Sequence, residues 1–219
     1  GQGSGDGADE SVPENQSETR NETGDNESDP VQPAANGAKP WENRANPQLR
    51  EAIAEFEQSA NKPNDGYGER HKVSGALGRY QIMPDTLDGI QWRNPDGTWT
   101  EKARAHGVAS DEEFLRNPKA QEAALDRVMA QYEKEANDAG LFERVGQKIE
   151  GRVDGITVSE AGIMATVHTG GPTGTRRYLE KIDQADGLSQ NADLTVKERA
   201  IETRMRKAQD LEYRKTRKQ

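Results

Sequence analysis

Leu49, Ile53 and Phe56 recur at the four-then-three spacing of one helical face, and Glu57 lies beside that face while Glu55 points well away from it. A carboxyl at the edge of an apolar face is partly desolvated, a setting that suits a group donating a proton near neutral pH. Cleavage of a glycosidic bond makes that demand, since the leaving oxygen must be protonated as the bond breaks. The same spacing also describes the boundary residue of an ordinary amphipathic helix. Other side chains with chemical potential are few. His71, His106 and His168 are far apart and form no His-x-x-x-His pair, so neither a metal site nor a cofactor is expected. His168 is the one assigned to a cleft, with His71 read as a loop residue and His106 as a solvated one.

Two further patterns could touch a sugar. Gly170, Gly171 and Gly174 let backbone N–H and C=O groups come close to a ligand, and such backbone pairing recognises N-acetyl groups well. A phosphate cradle is the rival reading, disfavoured because no Lys-Ser/Thr follows these glycines and no strand precedes them. Trp92 and Trp99 flank the turn Pro95-Asp96-Gly97. Their faces could stack on sugar rings, with core packing across a hairpin as the default.

The elements that must position these groups are mostly helical. A helix over 47–60 is expected, capped by Asn46 with Pro47 in its first turn. The Gly- and Asn-rich stretch from Asn61 to Gly75 reads as a loop, residues 76–90 as a short helix, and the segment between Trp92 and Trp99 as a small hairpin. Ser110 opens another helix that Asn117-Pro118 ends. Helical patterns then cover 119–139, 141–151 and 159–182.

Composition sets the boundaries. At 219 residues, the chain suits one domain with appendages. Residues 1–40 carry nine acidic and two basic residues and almost no large apolar side chain, which marks an acidic disordered arm. They hold most of the net charge of −9, so the remainder is nearly neutral. Residues 41–190 are expected to fold by themselves. From Thr195 onward nine basic face four acidic residues, and a basic, solvated C-terminal helix over 191–219 is expected. Its charges alternate in sign and it holds one Tyr, so no nucleic-acid partner is assigned. No stretch is apolar enough to span a membrane and no signal peptide opens the chain. Gly at position 1 is read as a processed end or a segment of a longer protein. With no cysteine, disulfide and thiolate chemistry are absent.

A helix ending in Glu57, a polar loop, and then Ser74-Gly-Ala-Leu-Gly-Arg-Tyr-Gln-Ile-Met-Pro84 together resemble the lytic transglycosylase and goose-type lysozyme superfamily. Two later blocks extend the resemblance over about 45–182. Glu112–Ala124 is similar to a helix pair of phage-associated and cell-wall members, and Ala161–Glu180 to a block of alanines, a Tyr-Asn or His pair, glycines and a Tyr-Leu. The resemblance implies a mainly α, lysozyme-like fold (α+β with a small hairpin). It implies Glu57 as proton donor, with Gly75, Ala76, Gly78, Tyr80, Gln81 and Pro84 shaping the cleft floor. His168, Gly170, Gly171 and Tyr178 join them in binding substrate.

The substrate implied is the N-acetylmuramic acid–N-acetylglucosamine strand of peptidoglycan, cleaved to a 1,6-anhydro end without metal or cofactor. The setting implied is extracytoplasmic, in the periplasm or cell wall, with wall remodelling, a secretion assembly and a virion all left open and phage-encoded members most resembled. Where relatives carry Glu-Ser-Gly, this chain has Glu57-Gln58-Ser59-Ala60, which keeps Glu55 and Glu69 as reserve positions. It has Val167-His168-Thr169 where many carry Tyr-Asn. Two alternatives stay open: a goose-type hydrolase drawing on Asp65, Glu69 or Asp85, and a non-catalytic glycan-binding or structural module.

Overall fold

The computed structural model describes residues 37–185 and 193–215. Most of the acidic arm therefore lies outside the described residues. From its last part, Lys39 reaches Asp65 at 3.2 Å and the chain then turns so that Trp41 is buried.

The architecture is mainly helical with one short antiparallel hairpin. Helix α1 runs Pro47–Phe56 and ends sooner than its pattern predicts. Gln58 turns left-handed at φ 59°, and the N–H groups of Ser59 and Ala60 fold back onto the Ala54 carbonyl at 2.9 and 3.3 Å. Glu57 is thereby the C-cap, not a mid-helix residue. Asn46 precedes the helix at φ 58° without a side-chain cap bond; its amide instead pairs with the backbone of Arg214 at 2.7 and 3.1 Å, tying the helix entry to the C-terminal segment.

The expected helix over 76–90 shrinks to α2, Pro84–Gly89. Leu77 and Ile82 exchange N–H···O bonds in both directions at 3.0 Å, closing a tight turn that Gly78 (φ 79°) and Gln81 (φ 49°) make possible. The Trp92–Trp99 segment makes a turn with a single bridge, Arg93 to Trp99, and no strand. Short helices α3 (Glu101–Arg104) and α4 (Asp111–Leu115) follow, the second capped by the Ser110 hydroxyl accepting from Glu113 N–H. Asn117 caps α5, Pro118–Asp138, by accepting from Ala120 N–H.

A helix over 141–151 does not form. A 3₁₀ turn over Leu141–Arg144 gives way to β1 (Lys148–Glu150), paired with β2 (Gly155–Thr157), because Gly140 and Gly146 at positive φ break the helical path. Ile149 faces Ile156 across the ladder, both buried between exposed neighbours, the period of two that a half-buried hairpin demands. The small hairpin thus lies at 148–157, not beside the tryptophans. Helix α6 spans Glu160–Ala185, interrupted by Gly171 (φ 67°) and Pro172, and α7 spans Val196–Ala208 behind a Thr195/Glu198 capping box.

Two apolar clusters share α6. Met164 and Ala165 join Leu49, Leu87, Trp92, Phe114, Leu125 and Val128 in one. Ile163, Val167, Tyr178 and Leu179 join Ile149, Ile156, Ile201 and Met205 in the other. The basic C-terminal segment is therefore not a solvated extension. Ile201, Met205 and Ala208, spaced four and three apart, are buried, and α7 lies along α6. Gly170 eases this approach, since a Cβ there would sit 3.0 Å from Ile201 Cδ1.

The packing of α7 into the second cluster bears on whether 41–190 folds unaided. A chain ending at 190 should lose its cooperative urea transition, because the second cluster would be left open on one side. Ile201→Ala in the full chain should cost about 2–5 kcal/mol, whereas Val196→Ala, at a side chain 80% exposed, should stay within about 0.5 kcal/mol.

Candidate functional site

Glu57 stands where four elements meet. As the C-cap of α1 it projects toward α6 and α7, its side chain 22% exposed. Arg204 of α7 directs Nη1 and Nη2 to Glu57 Oε1, each at 3.3 Å. His168 of α6 brings Nε2 within 3.7 Å of the same oxygen. Tyr132 of α5 completes the wall, its ring meeting the His168 ring edge-on with centroids 5.7 Å apart. Phe56, beside Glu57, lies under the Arg204 guanidinium at 5.0 Å from its centroid.

The charges here are shaped by burial. His168 is held below its ordinary pKa chiefly by desolvation, against the opposing pull of Glu57, and so is neutral at pH 7. Its Nε2 lies 2.9 Å from the Tyr80 carbonyl, the contact of an Nε2–H donor, while the buried Nδ1 has no hydrogen-bond partner among the described residues. Burial lowers Arg204, and Glu57 resists that shift. The Tyr132 hydroxyl is pushed up to about 12, first by burial, with Glu135 and Glu57 adding to it against Thr86.

Beneath this site lies a second network, centred on the fully buried Arg50 and Glu122. Glu122 of α5 accepts from Arg50 Nη1 at 3.0 Å, and from the hydroxyls of Tyr67 and Tyr80 at 2.9 Å each. Arg50 also bonds Asp126 and the Ala45 carbonyl, and Arg44 pairs with Asp126 at 2.8 Å. Burial pulls Arg50 down, but Asp126 and Glu122 together leave it above its ordinary value. Tyr80, desolvated and facing Glu122, is held well above its own. Next to it, Gln121 accepts from Arg79 N–H at 3.0 Å and donates to the Tyr67 and Phe114 carbonyls. Gly78 packs on this amide so closely that a Cβ would collide with it.

The sequence-derived residues divide accordingly. Glu57, His168 and the backbone of Tyr80 are brought together. The Tyr80 side chain is buried and spent on Glu122, so it has no surface to offer a ligand; Ala76 is buried as well. Gly78 serves packing on Gln121, and Gly170 faces Ile201 of α7 at 3.0 Å from a would-be Cβ. Tyr178 does not reach the site; it is enclosed in the second cluster, where burial and Glu202 raise its hydroxyl pKa. Gly75 (φ 75°), Gly171 (φ 67°) and Gln81, whose Nε2 bonds the Gly78 carbonyl at 2.9 Å, keep open faces.

Of the reserve acids, Glu55 is exposed on the far side of α1, Asp65 is engaged by Lys39, and Glu69 contributes a backbone carbonyl to Gly78 N–H at 2.7 Å. Trp92 and Trp99 are core residues around Phe114, and His106, expected to be solvated, stacks on Trp92 at 4.7 Å. His71 is exposed in its loop, accepting from Val73 and Ser74 N–H. Among the described residues, no group of three or more His, Asp and Glu is arranged to hold a metal, and no helix is long and apolar enough to cross a membrane.

Sequence reasoning missed Arg204 and Tyr132. The 201, 205, 208 apolar spacing could have revealed that α7 has an inner face, but the net positive charge of the segment concealed it.

Glu122→Leu should destabilise the protein by about 3–5 kcal/mol in denaturant unfolding, since the buried Arg50 would be left with Asp126 alone as its ion-pair partner and the Tyr67 and Tyr80 hydroxyls would lose their acceptor. A second expectation concerns pH. Because His168 is depressed in the fold, an unfolded chain takes up its proton first as pH falls below about 6.5, so that stability is full above this pH and lost below it. The stability difference between wild type and His168→Gln should therefore shrink on acidification from pH 7 to 5, and a constant difference would contradict a buried neutral imidazole. Compared with known proteins, the chain matches no protein family, no curated protein and no solved structure.

Proposed function

We propose that this chain is a peptidoglycan lytic transglycosylase that cleaves the N-acetylmuramic acid–N-acetylglucosamine bond, with Glu57 as its single acid/base. The observation that carries the reading is the setting of Glu57: a partly exposed carboxyl at a helix end, one oxygen held by the Arg204 guanidinium with the His168 ring packed 3.7 Å away, beside the turn that holds Gly78, Tyr80 and Gln81. In the reaction, Glu57 gives its proton to the glycosidic oxygen as the bond from C1 breaks. The resulting carboxylate then takes the proton of the muramic 6-hydroxyl while O6 bonds to C1, closing the anhydro ring and returning Glu57 to its starting form. One carboxyl suffices, and the chemistry requires neither metal nor cofactor. The glycan strand is the partner this implies, reached from an extracytoplasmic location or as part of a virion or secretion assembly that opens the cell wall.

A second reading is favoured by one contact. Arg204 on Glu57 joins α1 to α7, which is also what a structural tie in a non-catalytic glycan-binding module would do. A goose-type hydrolase would need a second carboxylate; Asp65, paired with Lys39, does not favour it.

Zymography on embedded peptidoglycan separates these readings. Wild type should clear, and Glu57→Gln should lose roughly 10²–10⁴ in rate with its melting transition retained, while Glu55→Gln stays active. Mass spectrometry of digested sacculi should find muropeptides lighter by one water than the hydrolysed products. Reducing ends alone, with activity lost in Asp65→Asn or Glu69→Gln, would make the enzyme a hydrolase, and absence of clearing by wild type would leave the non-catalytic module.

A further inference from the structure

Three nitrogen atoms converge on one oxygen of Glu57. Arg204 Nη1 and Nη2 each lie 3.3 Å from Oε1, and His168 Nε2 lies 3.7 Å from that atom, whereas Oε2 carries none of these contacts. A carboxyl exchanges its proton through one oxygen at a time, so an environment this lopsided gives its two oxygens different tasks. On the reading of Glu57 as acid/base, we propose that Arg204 is its positioning residue: it grips Oε1 and presents Oε2 as the oxygen that protonates the glycosidic oxygen and later accepts the 6-hydroxyl proton. His168, anchored by the Tyr80 carbonyl, fills the space behind Oε1 and limits where the carboxyl can swing.

The geometry suits that task. The Arg204 side chain is only 11% exposed and its guanidinium lies over the Phe56 ring, so it cannot wander as a surface arginine does. It comes from a helix turn whose neighbours Ile201 and Met205 are buried, which fixes its origin. The planar fork of an arginine places two N–H groups on one acceptor, and it remains protonated throughout, so no proton passes to it. Lysine would offer a point charge without the fork. Position matters in such steps because a displacement of about 1 Å can cost on the order of 10² in rate.

The test compares wild type, Glu57→Gln, Arg204→Met, Arg204→Lys and Arg204→Ala on soluble, uncross-linked glycan strands, reading kcat, KM and the melting temperature of each. Arg204→Met keeps the apolar stem on Phe56 and removes the fork; it should lower kcat by about 10²-fold with KM within a few-fold. Arg204→Lys should recover part of that loss, and millimolar guanidinium should restore part of the activity of Arg204→Ala. A mere structural tie would shift the melting temperature without any such rescue. Wild-type kcat in Arg204→Met overturns the proposal, as does an equal loss in the Met and Lys variants with no rescue by guanidinium; should Arg204→Ala fail to fold, the Met and Lys variants decide. If wild type does not cleave, or Glu57→Gln cleaves as well as wild type, the assignment of Glu57 itself falls and takes this proposal with it, an outcome distinct from a dead Glu57→Gln beside a fully active Arg204→Met.

Discussion

A buried carboxylate at Glu122 is the constraint on which the site depends. It draws in Arg50 from α1, Tyr67 from the loop and Tyr80 from the tight turn, so one side chain on α5 fixes the relative placement of three segments. A charge in this position is tolerable only because every contact is made; without its partners the group would face a desolvation penalty of several kcal/mol. The consequence travels outward. Holding the Tyr80 hydroxyl fixes the turn, the turn sets the Tyr80 carbonyl, and that carbonyl orients His168 against Glu57. The residue with chemical promise is thus three contacts removed from the one that keeps it in place.

Helix α6 performs the complementary service from the other side. Buried all round over 161–167, it joins the two apolar clusters and carries His168 between them. Its break at Gly171 and Pro172 falls just beyond His168, where Pro172 has no N–H to give. The Thr175 hydroxyl repairs the gap by reaching both Thr166 Oγ1 at 3.0 Å and the Gly171 carbonyl at 3.2 Å. Polar bonds inside the helix therefore keep the two halves aligned without restoring the regular ladder, and α7 packs along the result.

Charge in this protein is distributed by role. Lys134 and Asp138 form an exposed pair along α5, of the kind worth only a fraction of a kcal/mol. Arg50, Arg79 and Arg204 are different: each is buried or nearly so, and each has a planar face or fork against a partner. Arg79 lies 3.6 Å from the centroid of Trp41 and donates to the Asp65 carbonyl at 2.8 Å, which seats the first described residues on the body of the domain. Arginine suits these positions because its fork and its weak hydration lower the cost of removing a cation from water.

Local signals in the sequence located several helix starts. Pro47 and Ser110 mark them through bonds or dihedral limits that act over three or four residues, and Asn117-Pro118, read as the end of one helix, also opens the next. The edge position of Glu57 followed from a periodicity of one turn. What failed, failed for want of distance information. The helix read over 141–151 became a turn and hairpin because the burial of Ile149 and Ile156 depends on α7 and α6 being opposite them. The C-terminal segment looked solvated because its charge is visible in the sequence, while partners that absorb it, Glu57 and Asp154, come from the fold. The buried network of Arg50, Glu122, Tyr67 and Tyr80 spans 72 residues of chain between its ion-pair members and leaves no periodic trace. Spacing reports which residues share a face; only tertiary packing decides what that face meets, and hence that Arg204 stands against Glu57.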